Sequence, residues 1–338
     1  WKIKKMLVSS TNIKKYRASC SSSFLRKSLL SKIKRIEKRT YMNYYSKNKE
    51  NFYQKLTDDP LFSSLTDYLY EHREQETILR ELKKEFSQNK FSHFLDLLID
   101  AGLIKREERR YHLNFPIFDP KDYLQQATSA AETIAEQLKR LSVDEQKLAM
   151  GEVIWAYCFE DERKEAYFYG VRNSRETELL RTTAGNEKYR FITLSSIEHF
   201  PLTLANYFFV QKNQLPVTKA FKELAELIGD VNESYFFDQI EVIVDRIRKN
   251  KYKNRRPSIF HQSLLVTNTI KEEESFTLEL PIVEKNNFEI ELPTLDPSLT
   301  MEEMAFLKRQ IFSELSKKFI PHAFSYIKEY GTVLVSKT

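Results

Sequence analysis

The chain has 338 residues, with 54 Lys and Arg against 48 Asp and Glu, for a formal net charge of +6. That length admits two or three compact units, and 24 Phe with 18 Tyr promise hydrophobic cores. Two cysteines form no disulfide framework, no apolar run nears the roughly 20 residues of a membrane helix, and six glycines leave no Gly-rich phosphate loop.

The basic balance is local. Residues 1–41 hold 13 of the Lys and Arg and one acid, Glu37, a charge of +12; residues 42–338 hold 41 cations against 47 acids, a charge of −6. The sequence opens on Trp1, and Met42 begins a sensible globular stretch. Residues 1–41 are therefore expected to be translated upstream sequence outside the fold, with Met42 as the true start. A Ser/Arg-rich transit peptide and a basic nucleic-acid tail are the alternatives.

Past Met42, Leu61, Leu65 and Leu69 lie four apart on one helix face. Asp58-Asp59 precedes Pro60 and suits a helix cap better than a paired acid and base. Thr77 is placed to cap a second helix, whose buried side is Ile78, Leu79, Leu82 and Phe86, with Glu81 nearby. Ser87-Gln88-Asn89 form a turn, and Phe91, Phe94, Leu95 and Leu98 mark a third helix. Gly102 suits the left-handed position past its end. Leu103-Ile104 and Tyr111-His112-Leu113 then flank a charged turn, Lys105 to Arg110. Three helices and a two-stranded ribbon are the order of a winged helix-turn-helix, in which the third helix enters the major groove and the ribbon meets phosphate. An unrelated three-helix bundle with a hairpin is the plainer alternative.

A similar pattern follows later. Leu65-Thr66-Asp67-Tyr68-Leu69 opens the first run, which ends at Phe115-Pro116-Ile117-Phe118. Leu204-Ala205-Asn206-Tyr207-Phe208 opens a second, which ends at Arg256-Pro257-Ser258-Ile259-Phe260. The offset is 139 at Tyr68/Tyr207 and 142 at Leu98/Ile240 and Phe118/Phe260, too long for a solenoid repeat. In the second run Val217, Phe221, Leu224 and Ile228 match the second helix. Tyr235, Phe236, Ile240 and Ile243 match the third, but Val244 stands where a Gly would end it.

Between the runs, a helix is expected over Tyr123 to Leu141, and another from Asp144 through Trp155 to Phe159. Strands are expected at Ala166 to Val171 and Tyr189 to Leu194, joined by a polar stretch with Gly185. After the second run, Ser263 to Thr267, Phe276 to Val283 and Phe288 to Leu292 alternate like strands, with a hairpin turn at Asn286-Asn287. Ser298 or Thr300 can cap a last helix built on Met304, Leu307, Ile311 and Leu315.

The stretch Leu79 to Phe118, with Leu82, Phe94, Leu98, Ala101-Gly102-Leu103-Ile104, Arg110-Tyr111 and Phe115-Pro116, resembles the bacterial domain of unknown function family 1803. The resemblance covers roughly 42–120 and, more faintly, 200–262. It implies a small domain of cytosolic proteins from low-GC Gram-positive bacteria and carries over no catalytic residue. The expected fold is thus α+β. It comprises a basic leader (1–41), a winged-helix-like module (42–120), an α+β connector (121–199), a second such module (200–262) and a hairpin with a C-terminal helix (263–338).

No catalytic constellation emerges. The six histidines are scattered, none at metal-ligand spacing, and Cys158 beside Trp155 and Phe159 suits a buried small hydrophobe. No enzyme activity, metal or cofactor is expected, and no small-molecule ligand is evident. The cytoplasm is the expected compartment, without a membrane.

Double-stranded DNA is the partner to which the ribbons point. Lys105, Arg106, Arg109 and Arg110 in the first, and Arg246, Arg248, Lys249, Lys251, Lys253, Arg255 and Arg256 in the second, are candidates for phosphate. Asn89, Lys90 and His93 are candidates for base edges. Against this stand Asp96 and Asp100 on the first third helix, and Asp230, Glu233, Asp238 and Glu241 around the second. They favour the alternative, a protein-interaction or dimerisation scaffold that recognises protein partners through acidic helices.

Overall fold

The computed structural model describes residues 42–47, 50–160, 166–172, 179–196, 199–215, 218–253, 258–283, 288–320 and 323–330. The basic leader, Val217, Arg255, Arg256, Pro257 and the Asn286-Asn287 turn lie outside them. The fold is α+β, as the alternation of periodicities implies.

Strand β1 (Met42–Lys47) opens the fold, and four helices follow: α1 (Glu50–Thr57), α2 (Pro60–Glu71), α3 (Leu79–Glu85) and α4 (Phe91–Asp100). Asp59 caps α2 by accepting from the Leu61 amide at 2.9 Å, with Pro60 in the first turn where its missing N–H costs nothing. Thr77 does not cap α3. It is buried, its carbonyl accepts from the Tyr111 amide, and Glu81 closes the helix by accepting from the Ile78 amide. The backbone at 77–78 is used as a strand instead: Ile78 bridges Arg110 in antiparallel fashion.

Hairpin β2 (Ile104–Glu107) and β3 (Arg110–Leu113) follows α4. Glu108 and Arg109 at its tip have φ of +47° and +66°, the two-residue turn whose twist matches a right-handed ribbon. Gly102 has φ +72°, and nothing lies within 4 Å of a Cβ built on it. Any penalty there is purely conformational. Gly102→Val should therefore destabilise the fold by about 1 kcal/mol or more; an unaltered urea midpoint would show that the helix ends in another way. Strand β4 (Ile117–Phe118) comes next, then the 19-residue helix α5 (Pro120–Leu138). Helix α6 (Val143–Leu148), a π-helical turn (Ala149–Ile154) and α7 (Trp155–Phe159) lead to β5 (Tyr167–Arg172). Strand β5 is the centre of a three-stranded sheet, antiparallel to β1 and parallel to β4.

Strands β6 (Leu179–Gly185) and β7 (Tyr189–Ser196) form a hairpin. Where a polar connection was expected, Leu179 to Gly185 is a strand, since it presents Ala184 and Thr182 inward. Helices α8 (Leu204–Lys212), α9 (Lys219–Ile228), α10 (Glu233–Arg248) and α11 (Ile259–Val266) come next, then hairpin β8 (Ile270–Glu272) and β9 (Phe276–Leu278). Strand β10 (Ile282–Val283), helix α12 (Met301–Phe319) and strand β11 (Phe324–Glu329) complete the described chain. Thr300 and Glu303 cap α12 reciprocally. The second sheet runs β10-β11-β7-β6, with β11 parallel to β10 and antiparallel to β7.

Two further expectations fail. No ribbon forms at Arg246 to Lys253, because α10 continues to Arg248 and residues 249–253 take no strand. Ser263 to Thr267 is not a strand but lies in and just past α11, started by Ser258, whose hydroxyl accepts from the His261 amide. The apolar residues there, Leu264 and Leu265, fit either period, and the cap decides for the helix.

Helix α5 shows Ala127, Ala131, Ile134, Ala135 and Leu138 on its buried side, and α12 packs along it with Leu307, Ile311 and Leu315. The small alanines on α5 make room for the larger partners. One core surrounds α2 to α4 and a second surrounds α8 to α11. The α5–α12 pair forms a third with the π-turn segment, into which Cys158 is packed; burial pushes its thiol up to about 12, which makes it a poor nucleophile.

Candidate nucleic-acid interface

Helix α4 buries Phe91, Phe94, Leu95 and Leu98 and turns Ser92, His93, Asp96, Leu97 and Asp100 outward. The turn before it exposes Gln88, Asn89 and Lys90. A depression of about 430 Å³ opens at this point, lined by Gln88, Asn89, Lys90, His93, Phe94 and Leu97 from α4 and its turn, and by Asp59 and Leu61 from the start of α2. The three residues expected to read bases, Asn89, Lys90 and His93, are thus brought together in one surface depression. Leu61 and Leu97, which also line it, carried no such signal, since apolar helix residues are usually core.

The first hairpin divides its cations. Lys105 pairs with Glu107 at 2.6 Å, and Arg110 lies 2.9 Å from both Glu76 and Glu108. Arg106 sits over the Tyr111 ring at 5.7 Å, and Arg109 is exposed at the tip. Surface pairs of this kind are weak, so Lys105 and Arg110 can be recruited by a stronger anion.

In the second basic run the residues separate. Arg246 and Arg248 belong to the last turn of α10, Lys249 caps it, and Lys251 and Lys253 follow exposed. Cations at a helix C-terminus complement the macrodipole. Arg248 lies at the surface but is engaged within the fold: it donates to the Tyr189 hydroxyl at 2.9 Å and pairs with Glu329 at 2.8 Å. Three acids of α10 are likewise engaged. Asn186 donates to Asp238 and Glu241, and Lys188 donates to Asp245 at 2.6 Å. These carboxylates hold the β6–β7 turn against α10. Their presence therefore says little about what α10 repels.

Next to this run His261 of α11 is 2% exposed. Its Nδ1 lies 3.0 Å from the Tyr252 hydroxyl, its ring stacks on Tyr252 and meets the edge of Phe276, and its Nε2 has no hydrogen-bond partner. Burial holds the imidazole below its ordinary 6.5, against a smaller opposing effect of Glu272. The unfolded chain therefore binds this proton more readily than the folded one. Stability from neutral His261 should be complete above pH 6.5 and fall as pH drops below it. His261→Phe should flatten that decline in unfolding free energy between neutral pH and about pH 5; an equal decline in both proteins would refute the assignment.

Among the described residues, no three His, Cys, Asp or Glu side chains gather where they could hold a metal ion. No described helix is long and apolar enough to cross a membrane.

Residues 42–144 match the family model described as Domain of unknown function (DUF1803). They are a DUF1803 domain. The match takes in β1, the four helices, the first hairpin, β4 and all of α5, and it ends just inside α6. The match extends past residue 120 through α5, whose alanine face is buried in the third core. No curated protein and no solved structure matches the chain.

Proposed function

We propose that the DUF1803 domain is a winged-helix-like module that binds double-stranded DNA, with α4 as the reading helix and the β2–β3 hairpin as the wing. The order helix, bridging strand residue, helix, helix and ribbon supports the likeness. The Ile78–Arg110 bridge supplies the third strand position of such a wing. The observation that carries the functional part is the convergence of Asn89, Lys90 and His93 at the N-terminal end of α4. Helix-turn-helix modules touch base edges with the N-terminal residues of the recognition helix. Asp100 falls at the other end, away from these three residues, while Asp96 lies one turn past His93. The contacts from Arg106 and Arg109 would be sequence-blind and salt-dependent, and those from Asn89, Lys90 and His93 would discriminate.

Fluorescence-anisotropy titration of the full chain with a DNA duplex, across a salt series, tests this. Since the basic leader binds DNA by charge alone, the comparison that matters is with Arg106→Ala/Arg109→Ala. Loss of affinity in that variant supports the wing; identical curves discard it.

A second reading has its own observation. Leu97 is 40% exposed in the middle of the α4 outer face, between Asp96 and Asp100. An apolar side chain so placed favours a protein partner or a dimer. Leu97→Lys would then abolish self-association in analytical ultracentrifugation, and an unchanged sedimentation profile would discard this reading.

A further inference from the structure

The second half of the fold repeats the first in element order and in backbone hydrogen bonding. Each half has a strand (β1; β7), four helices (α1–α4; α8–α11), a hairpin, a short strand led by proline, a 19-residue helix and a last strand, and the first half alone inserts α6, the π-helical turn and α7 before that last strand. In each, the last strand is antiparallel to the first and parallel to the proline-led one. The bonds correspond singly. Leu103 donates to Leu98 and Thr269 to Leu264, both at 2.9 Å; Asn114 donates to Leu103 and Glu279 to Thr269, both at 3.0 Å. Gly170 donates to Pro116 at 3.0 Å and Ile327 to Pro281 at 2.9 Å. Asn268, with φ +50°, stands where Gly102 stands. Leu280-Pro281-Ile282-Val283 is therefore the counterpart of Phe115-Pro116-Ile117-Phe118. The helix matching α4 is α11 and not α10, one helix later than the sequence pattern suggested.

The two hairpins differ in charge. The first carries Lys105, Arg106, Arg109 and Arg110 against two acids, a balance of +2. The second carries Lys271 against Glu272, Glu273 and Glu274, a balance of −2, all exposed. Equivalent places in the two halves would therefore attract and repel phosphate respectively.

We infer that residues 189–329 are a diverged second copy of the unit built by residues 42–172, and that a polyanion engages the first copy alone. The second clause rests on the reading under Proposed function; the first does not. A chain of this kind reads one half-site, and its second copy serves the fold through the α5–α12 pairing and not a second DNA contact.

An experimental structure of the full chain tests the copy. Helix 259–266 followed by a hairpin at 270–278, with β10 parallel to β11, is expected. Any other path for 259–283 overturns it. Salt-dependent titration of the full chain with random-sequence duplex DNA tests the division of labour. Arg106→Ala/Arg109→Ala should flatten the salt slope by about two. Glu272→Gln/Glu273→Gln/Glu274→Gln should bind as tightly as the parent or more so. Weaker binding by the Gln variant overturns the assignment to the first copy. Coinciding curves for the parent and Arg106→Ala/Arg109→Ala overturn that assignment together with the DNA-binding proposal, while the copy is decided by the structure alone.

Discussion

Glu152→Ala is expected to cost about 3–5 kcal/mol of stability, because it strands charges that the interior of the fold has paired. Glu152 projects from the π-helical turn, and its side chain is 11% exposed. It accepts from Tyr326 Oη at 2.5 Å, from Arg181 Nη2 at 2.8 Å and from Lys328 Nζ. Arg181 also donates to the Gly151 carbonyl at 3.0 Å. Burial by itself would raise the Glu152 carboxyl above its ordinary 4.5, but the hydrogen bonds from Lys328, Tyr326 and Arg181 outweigh it and leave the group lowered. Its contribution is therefore present above pH 4.5 and lost as pH falls further, through the lowered folded value. Glu152→Gln keeps the shape and loses the charge, and should fall between parent and alanine variant in a urea melt. Equal midpoints for all three would mean that Arg181 and Lys328 find other partners.

Gly185→Ala is expected to be as damaging, at about 3–5 kcal/mol, through a backbone collision combined with strain. Gly185 has φ +152°, and a Cβ there would stand 2.1 Å from the Tyr189 carbonyl oxygen, which no rotamer can relieve. The same carbonyl accepts from the Asn186 amide, while the Asn186 side chain accepts from the Lys188 and Tyr189 amides. This turn holds Asn186 and Lys188 against Asp238, Glu241 and Asp245 of α10. The alanine variant should lose amide protection in both the β6–β7 hairpin and α10. Protection lost from the hairpin alone would show that the polar ties contribute little.

Local signals in the DUF1803 domain were legible because they were redundant. Asp59 before Pro60, the spacing of Leu61, Leu65 and Leu69, and Gly102 after Leu98 each carry one meaning. A recurring apolar pattern was also legible, and the inferred second copy places it in another register. Amphipathic helices present similar apolar spacings, so α8 to α10 imitate α2 to α4 at an offset near 140. The counterpart that this inference assigns to Phe115-Pro116-Ile117, at Leu280-Pro281-Ile282, shows only in the parallel pairing of both with a central strand. The candidate site divided in the same way. Asn89, Lys90 and His93 are close in sequence, so local geometry brought them together. The second basic run held no ribbon because α10 continues through Arg248, whose ties to Tyr189 and Glu329 depend on residues about 60 and 80 positions distant.

The antiparallel pairing of β1 with β5 and of β7 with β11 has a consequence for synthesis on the ribosome. Each sheet is completed by the last strand of its own half, so neither is whole before that strand is made. The first half holds all its pairing partners once Arg172 has emerged, long before Glu329 exists. It can therefore complete its sheet while the second half is still being made, in the vectorial order that shields large chains from misassembly. What waits for the end is the seating of α12 on α5, the step that joins two finished pieces and buries the alanine face.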